Sequence, residues 1–183
     1  MDALENILNR VSARSLKEPH PSKKEMDIVY KAALRAPDHA WLRTSSFIEV
    51  KGESLKKLSN IFVKYGKSVP DISDEVLEKY KNAPYRAPMI IILVNTFKEH
   101  PKVPAIEQKL STATAAQNIM LALNAMKYSC IWRTGKMAFN ELIQNELGLA
   151  KDQEILGYLY IGTESGEKKK IPNLDLDDFV SYL

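Results

Sequence analysis

The chain is poor in the residue types that most often announce a chemistry. One cysteine, Cys130, among 183 residues excludes an intrachain disulfide and any cysteine-based zinc cluster. Three scattered histidines, His20, His39 and His100, have no metal-ligand spacing. Seven glycines form neither a G-x-G-x-x-G fingerprint nor a P-loop, so a bound phosphate has to be held by side chains. A net charge of +3 falls short of the basic footprint of a nucleic-acid binder and supports only a weak pull on anions. The longest apolar run, Met89–Val94, is far below the ~20 residues that cross a bilayer. Met1–Glu5 also lacks the charged-then-apolar order of a signal peptide. These absences leave a cytoplasmic protein of one domain, residues 1–183, with no membrane or nucleic-acid partner, as the expectation.

What is present is an ordinary globular content, 45% hydrophobic and 27% charged, enough to bury a sizeable core. Asp2 can cap a short helix to Asn9. Pro19 and Pro21 break the chain, and Ser22 with Glu25 forms a capping-box pattern ahead of a helix that must stop near Arg35, before Pro37. Phe47–Val50 is predicted as a strand, and Gly52 to Val63 as an amphipathic helix. A further short helix is predicted over Asp74–Lys81. Met89–Asn95 is apolar and β-branched without alternation, the pattern of a central strand covered on both faces. Strands are also predicted at Tyr128–Trp132 and Ile155–Ile161, with a helix from Asn140 to Gly148 between them. From Ala105 to Met126 nearly every face is small or apolar, which predicts a wholly buried helix and a second subunit covering one side. Helices and strands mix without strict βαβ alternation, so the class is α+β.

Few residues have the chemistry to hold a ligand. Arg10 and Ser12, with Arg14 close by, follow the first helix; they are either a solvated basic helix end or a phosphate anchor, since guanidinium and hydroxyl both donate to anions. His39 stands on a loop between helix and strand, either packed structurally or donating to a ligand. Ile131-Trp132-Arg133 closes a strand, with Arg133 either an ordinary surface cation or a partner for a flat polar ring. Asp38–His39 has no serine or cysteine placed to be activated by it. Cys130 is expected to be an inert core thiol, Pro84–Pro88 with Arg86 an entry turn, and Lys168–Lys170 a solvated charge run.

Taken in order, Asn9-Arg10-Val11-Ser12-Ala13, Arg35-Ala36-Pro37-Asp38-His39, Asn82–Pro88, Lys102-Val103-Pro104, Ile131–Gly135 and Gly157–Thr163 make a whole-chain pattern that resembles the flavin-dependent nitroreductase family. That resemblance implies a mixed central sheet flanked by helices, an intertwined homodimer, and FMN bound where the subunits meet. It places Arg10, Val11 and Ser12 on the FMN phosphate. Arg35 and His39 become FMN contacts, His39 from the other subunit, and Ile131, Trp132 and Arg133 a second FMN-binding segment. A nicotinamide contact is implied at Leu121, Ala122, Leu123, Asn124, Ala125 and Met126.

The implied activity is that of an FMN-dependent oxidoreductase. Hydride passes from NADH or NADPH to the flavin N5, and a nitroaromatic, quinone or similar acceptor takes the electrons. Two positions depart from the family pattern. Val11 stands where a second arginine is usual, and Arg43-Thr44-Ser45 replaces a frequent Gln-Pro-Trp. The second departure leaves open an FMN-binding storage or sensing dimer without nicotinamide turnover; a flavin-free interaction protein is the third reading.

Overall fold

A computed structural model describes residues 2–183. Its centre is β3 (Met89–Thr96), in which seven of eight residues are buried. β3 pairs antiparallel with β2 (Ser45–Lys51) on one edge and with β5 (Gln153–Glu164) on the other. β5 also pairs with β4 (Ser129–Arg133) and, at its C-terminal end, with the two-residue β1 (Leu16–Lys17). Every pairing among the described residues is antiparallel. The expectation of a mixed sheet is therefore corrected for the single chain, while the α+β class stands.

Alternation along β3 divides the core in two. Ile90, Ile92 and Val94 meet Phe62, Leu58, Tyr158 and Tyr160 under α3 (Glu53–Lys67). Met89, Ile91 and Leu93 meet Met26, Val29, Ala116, Ile119 and Leu123 of α2 (Lys23–Ala33) and α5 (Ala105–Ala125). Capping follows the sequence closely. Asp2 with Glu5 and Ser22 with Glu25 form capping boxes for α1 (Ala3–Asn9) and α2. Ser73 caps α4 (Asp74–Asn82) and Asn140 caps α6 (Glu141–Glu146). Among the described residues, no helix is long and apolar enough to cross a membrane.

The differences from sequence expectation have packing causes. α3 runs through Gly66 to Lys67 because α4 packs on it: a Cβ at Gly66 would stand 2.6 Å from Leu77 Cδ1. Tyr65 also stacks on Tyr80, with ring centroids 5.6 Å apart. β5 is longer than Ile155–Ile161 because it is the common partner of three strands. β4 lies one residue later than Tyr128–Trp132, which takes Arg133 into the strand. α5 is not buried all round in one chain. Thr112, Ala116, Ile119 and Leu123 face inward, while Ile106 and Leu110 are more than half exposed. The second subunit expected to cover that side is not part of the single chain.

Gly157 marks the tightest approach in the sheet. Its φ of +145° suits glycine alone, and a Cβ there would collide with Trp132 Nε1 while lying 2.8 Å from Trp132 Cδ1 and 2.9 Å from the Arg133 carbonyl oxygen. Gly157→Ala is expected to destabilise by roughly 2–4 kcal/mol, combining overpacking with a left-handed strain. Thermal unfolding followed by circular dichroism should show a midpoint lower by about 5 °C or more; an unchanged midpoint would contradict the close approach.

Candidate functional site

The first cluster forms where α1 ends. Asn6 anchors that helix, donating to the Leu121 carbonyl at 2.9 Å and accepting from Asn124 Nδ2 at 2.7 Å. At Arg10 the backbone turns extended (φ −69°, ψ 126°), and Ala13 N–H donates to the Cys130 carbonyl at 3.1 Å. Residues 10–13 therefore run beside the start of β4, although they lie about 120 positions away in sequence. Further along β4, Trp132 Nε1 donates to the Leu156 carbonyl at 3.2 Å and fixes the indole against Gly157. The Arg133 guanidinium sits 5.6 Å over the Tyr160 ring.

Burial raises the Tyr160 phenol above its usual range, and the positive charges of Arg86 and Arg133 oppose that rise. Burial likewise pushes the Cys130 thiol up to about 12, with Arg10 pulling weakly the other way. Among the described residues two buried side-chain polar atoms have no hydrogen-bond partner, Arg10 Nη1 and Arg133 Nε. A buried donor left unmade costs about 1–3 kcal/mol, more when charged. That both orphans are guanidinium nitrogens on these neighbouring segments fits an anionic or oxygen-rich ligand such as FMN.

The second cluster follows α2. The chain from Ala32 to His39 runs antiparallel along α5: Asn118 Nδ2 donates to the Ala32 carbonyl at 3.0 Å. His39 Nδ1 lies 2.6 Å from Glu107 Oε2 in the first turn of α5. Arg35 is exposed and lines two grooves. One is shared with Asn6, Asn118, Leu121, Ala122 and Ala125, the other with Pro37, Asp38, Trp41 and Arg43. Between His39 and Ser45 the backbone is strained. Ala40, Trp41 and Arg43 are left-handed non-glycine residues (φ 54°, 53° and 55°), each costing roughly 1–3 kcal/mol. Asp38 holds the turn: its Oδ2 accepts from Arg43 N–H at 2.8 Å, and its carbonyl accepts from Trp41 N–H at 3.0 Å.

The fold thus brings Arg10, Val11 and Ser12 together with Ile131, Trp132 and Arg133, but it does not bring His39 to them. His39 sits at the start of α5, and the anchor of the Arg10 segment at its end. At 1.5 Å per residue, Glu107 and Asn124 are about 25 Å apart. Of the Leu121–Met126 stretch, Leu121, Ala122 and Ala125 line the groove with Arg35. Leu123 is fully buried in the core, and Asn124 is hydrogen-bonded to Asn6.

Two features escaped the sequence reading. Lys168–Lys170, expected to be merely solvated, share a cleft with Arg14, because the Ser165 backbone donates to the Ser15 carbonyl at 3.0 Å. Arg86 comes close enough to Tyr160 to act on its ionisation; its place just before the central strand was the available signal.

Comparison with known proteins identifies the family and the fold. The nitroreductase family model matches residues 7–163. The chain is 33% identical over 183 residues to the Escherichia coli (strain K12) protein named "Putative NAD(P)H nitroreductase YdjA", with both chains covered completely. Among solved structures it superposes on a nitroreductase-like family protein from Bacillus cereus with a TM-score of 0.85 at 21% identity, covering all of this chain and 96% of that one. It also superposes on the FMN and NADPH-dependent nitroreductase NfnB of sphigopyxis sp. strain HMH with a TM-score of 0.78 at 16% identity, covering 100% and 99%.

The buried thiol gives a direct check on this geometry. Cys130 should resist a thiol-specific disulfide reagent at pH 8 and react fully once the chain is denatured; fast labelling of the folded protein would contradict its burial. Its ionisation is raised from 9.0 to about 12 on folding. The stabilisation is therefore complete below pH 9 and is lost progressively as pH rises towards 12. Over the first unit of that range the loss of stability measured by urea unfolding should be smaller in Cys130→Ala than in the unsubstituted protein.

Proposed function

This chain belongs to the nitroreductase family, and from that premise we propose that it is an FMN-dependent oxidoreductase using NADH or NADPH to reduce a nitroaromatic, quinone or similar small acceptor. One observation carries the cofactor assignment: the orphaned Arg10 Nη1 and Arg133 Nε lie on segments that the fold sets side by side. A protein of the same fold is named for FMN and NADPH dependence, and the YdjA relative is named for NAD(P)H.

Arg10 and Ser12 hold the phosphate, with Val11 between them contributing backbone. Because Val11 supplies no charge, Arg10 carries more of this contact, supported by Arg14 at the adjoining cleft. Ile131, Trp132 and Arg133 hold the ring end. Arg133, fixed over Tyr160, is a preorganised positive charge that favours a ligand gaining electrons. Bound between these residues, FMN would supply the redox chemistry of hydride and electron exchange. No side chain in the cluster has to act as a nucleophile, and Cys130 is kept protonated and buried.

His39 completes the pocket from a second copy of the chain, because within one chain it is about 25 Å along α5 from the Arg10 anchor, whereas Arg35 shares a groove with Asn6 and Leu121 beside that anchor. The exposed apolar residues Leu4, Ile7 and Leu8 of α1 and Ile106 and Leu110 of α5 supply area for such a homodimer. The nicotinamide segment narrows to Leu121, Ala122 and Ala125, which line the groove beside Arg35.

Anaerobic mixing of the FMN-loaded protein with NADPH or NADH tests the reading. Bleaching of the flavin absorbance, with ping-pong steady-state kinetics, is the expected result. An unchanged spectrum would favour a storage or sensing dimer, the reading prompted by the altered loop at Arg43–Ser45. Arg10→Ala should weaken FMN binding by ~1.5–3 kcal/mol, the worth of a charge-assisted hydrogen bond. Full retention of FMN affinity in a fluorescence titration would remove Arg10 from the phosphate site.

A further inference from the structure

Trp41 stands out because the backbone is strained to expose it. The indole is 76% exposed on a turn with three left-handed residues, Ala40, Trp41 and Arg43. Both ends of the turn are clamped. Asp38 accepts from Arg43 N–H at 2.8 Å, and the Thr44 carbonyl accepts from Thr96 N–H of β3 at 2.7 Å. The Arg43 guanidinium covers one face of the indole at 5.3 Å from its centroid and lies 3.7 Å from Asp38 Oδ2. The aromatic ring lost at Ser45 in the Gln-Pro-Trp comparison is thus met by one four residues earlier. Arg35 completes the rim of a groove of about 290 Å³ shared with Trp41 and Arg43. This is close to the lower size of ligand pockets and enough for a single substituted ring.

We propose that Trp41 and Arg43 form the recognition platform for the electron acceptor, and that the preferred acceptor is a flat, electron-poor aromatic ring bearing an anionic substituent. The free indole face offers stacking to such a ring. Arg43, held in place by Asp38 and by the indole, presents guanidinium hydrogens to the anionic substituent, a carboxylate. Trp41 and Arg43 are specificity-determining residues, and no covalent step is assigned to either. The inference rests on the oxidoreductase reading for its biological meaning, but binding can be measured without turnover.

Titration calorimetry of oxidised, FMN-loaded protein with 4-nitrobenzoate, in the absence of nicotinamide, supplies the binding readout. Flavin bleaching by NADPH is followed in parallel. Trp41→Ala should raise the Kd for 4-nitrobenzoate about tenfold, and Trp41→Phe should keep it within about threefold. Arg43→Gln should weaken 4-nitrobenzoate about tenfold while leaving neutral nitrobenzene nearly unchanged. The bleaching rate should be the same in all three variants.

Unaltered 4-nitrobenzoate affinity in Trp41→Ala would overturn the platform. So would equal weakening of the charged and neutral rings in Arg43→Gln. A bleaching rate that falls in step with affinity would assign Trp41 to cofactor positioning and likewise overturn it. If the unsubstituted protein binds 4-nitrobenzoate with the expected pattern but does not bleach, the oxidoreductase reading fails and the platform stands.

Discussion

The pairing of β3 with both β2 and β5 is the constraint on which the rest of the molecule depends. A strand with seven of eight residues buried has to be covered on both faces, and each face dictates a layer. Ile90 and Ile92 require α3, while Ile91 and Leu93 require α2 and α5. Once α5 lies on the sheet, its ends are fixed about 30 Å apart by its 21 residues. The candidate ligand groups then follow it: the Arg10 segment at its C-terminal end, Arg35 beside its last two turns, and His39 at its N-terminal end.

β5 converts this scaffold into a site. Its Tyr158 and Tyr160 enter the α3 core, and burial raises both phenols above their ordinary range. They remain neutral and apolar enough to support Arg133 from below. Gly157 supplies the recess that admits Trp132. Together they hold a cation and an indole at defined places on an otherwise aliphatic sheet. Rigidity of this kind matters for a ligand that changes charge, because a preoriented dipole or cation needs no reorganisation when the charge appears.

Most of the scaffold was legible in the sequence because its causes are local. Asp2, Ser22 and Asn140 are hydrogen-bonded caps within a few residues of themselves, and Met89–Asn95 carries its burial in its composition. What was not legible depends on partners distant in sequence. Gly66 continues a helix only because Leu77 and Tyr80 fill the space it leaves. Leu16–Lys17 is a strand only because β5 extends past Gly162 to receive it. The same distinction governs the site. Arg10 and Arg133 were found as residue types, but that one nitrogen of each is buried and unpartnered is visible only in the fold. Lys168–Lys170 gave no such signal, since a hydrogen bond between Ser15 and Ser165 is invisible to spacing. Trp41 was passed over because left-handed geometry at non-glycine residues has no marker in the sequence.

The unpartnered guanidinium nitrogens and the strained turn lead to one physical conclusion. Each is a stability cost that the fold could remove by a small change, such as lysine for Arg10 or glycine for Ala40. Neither cost lies in the cores, where Met26, Phe62 and Ile91 are fully buried and packing is satisfied. The guanidinium nitrogens lie by edge strand β4 and the C-terminal end of α5, and the strained turn lies by the opposite edge strand β2 and the N-terminal end of α5. Unpartnered cations and exposed apolar side chains at one end of α5, and a strained turn at the other, are places where a bound ligand or partner would lower the free energy. An anionic ligand would answer the cations, and apolar contact would answer the exposed side chains, so the two features call for different kinds of partner.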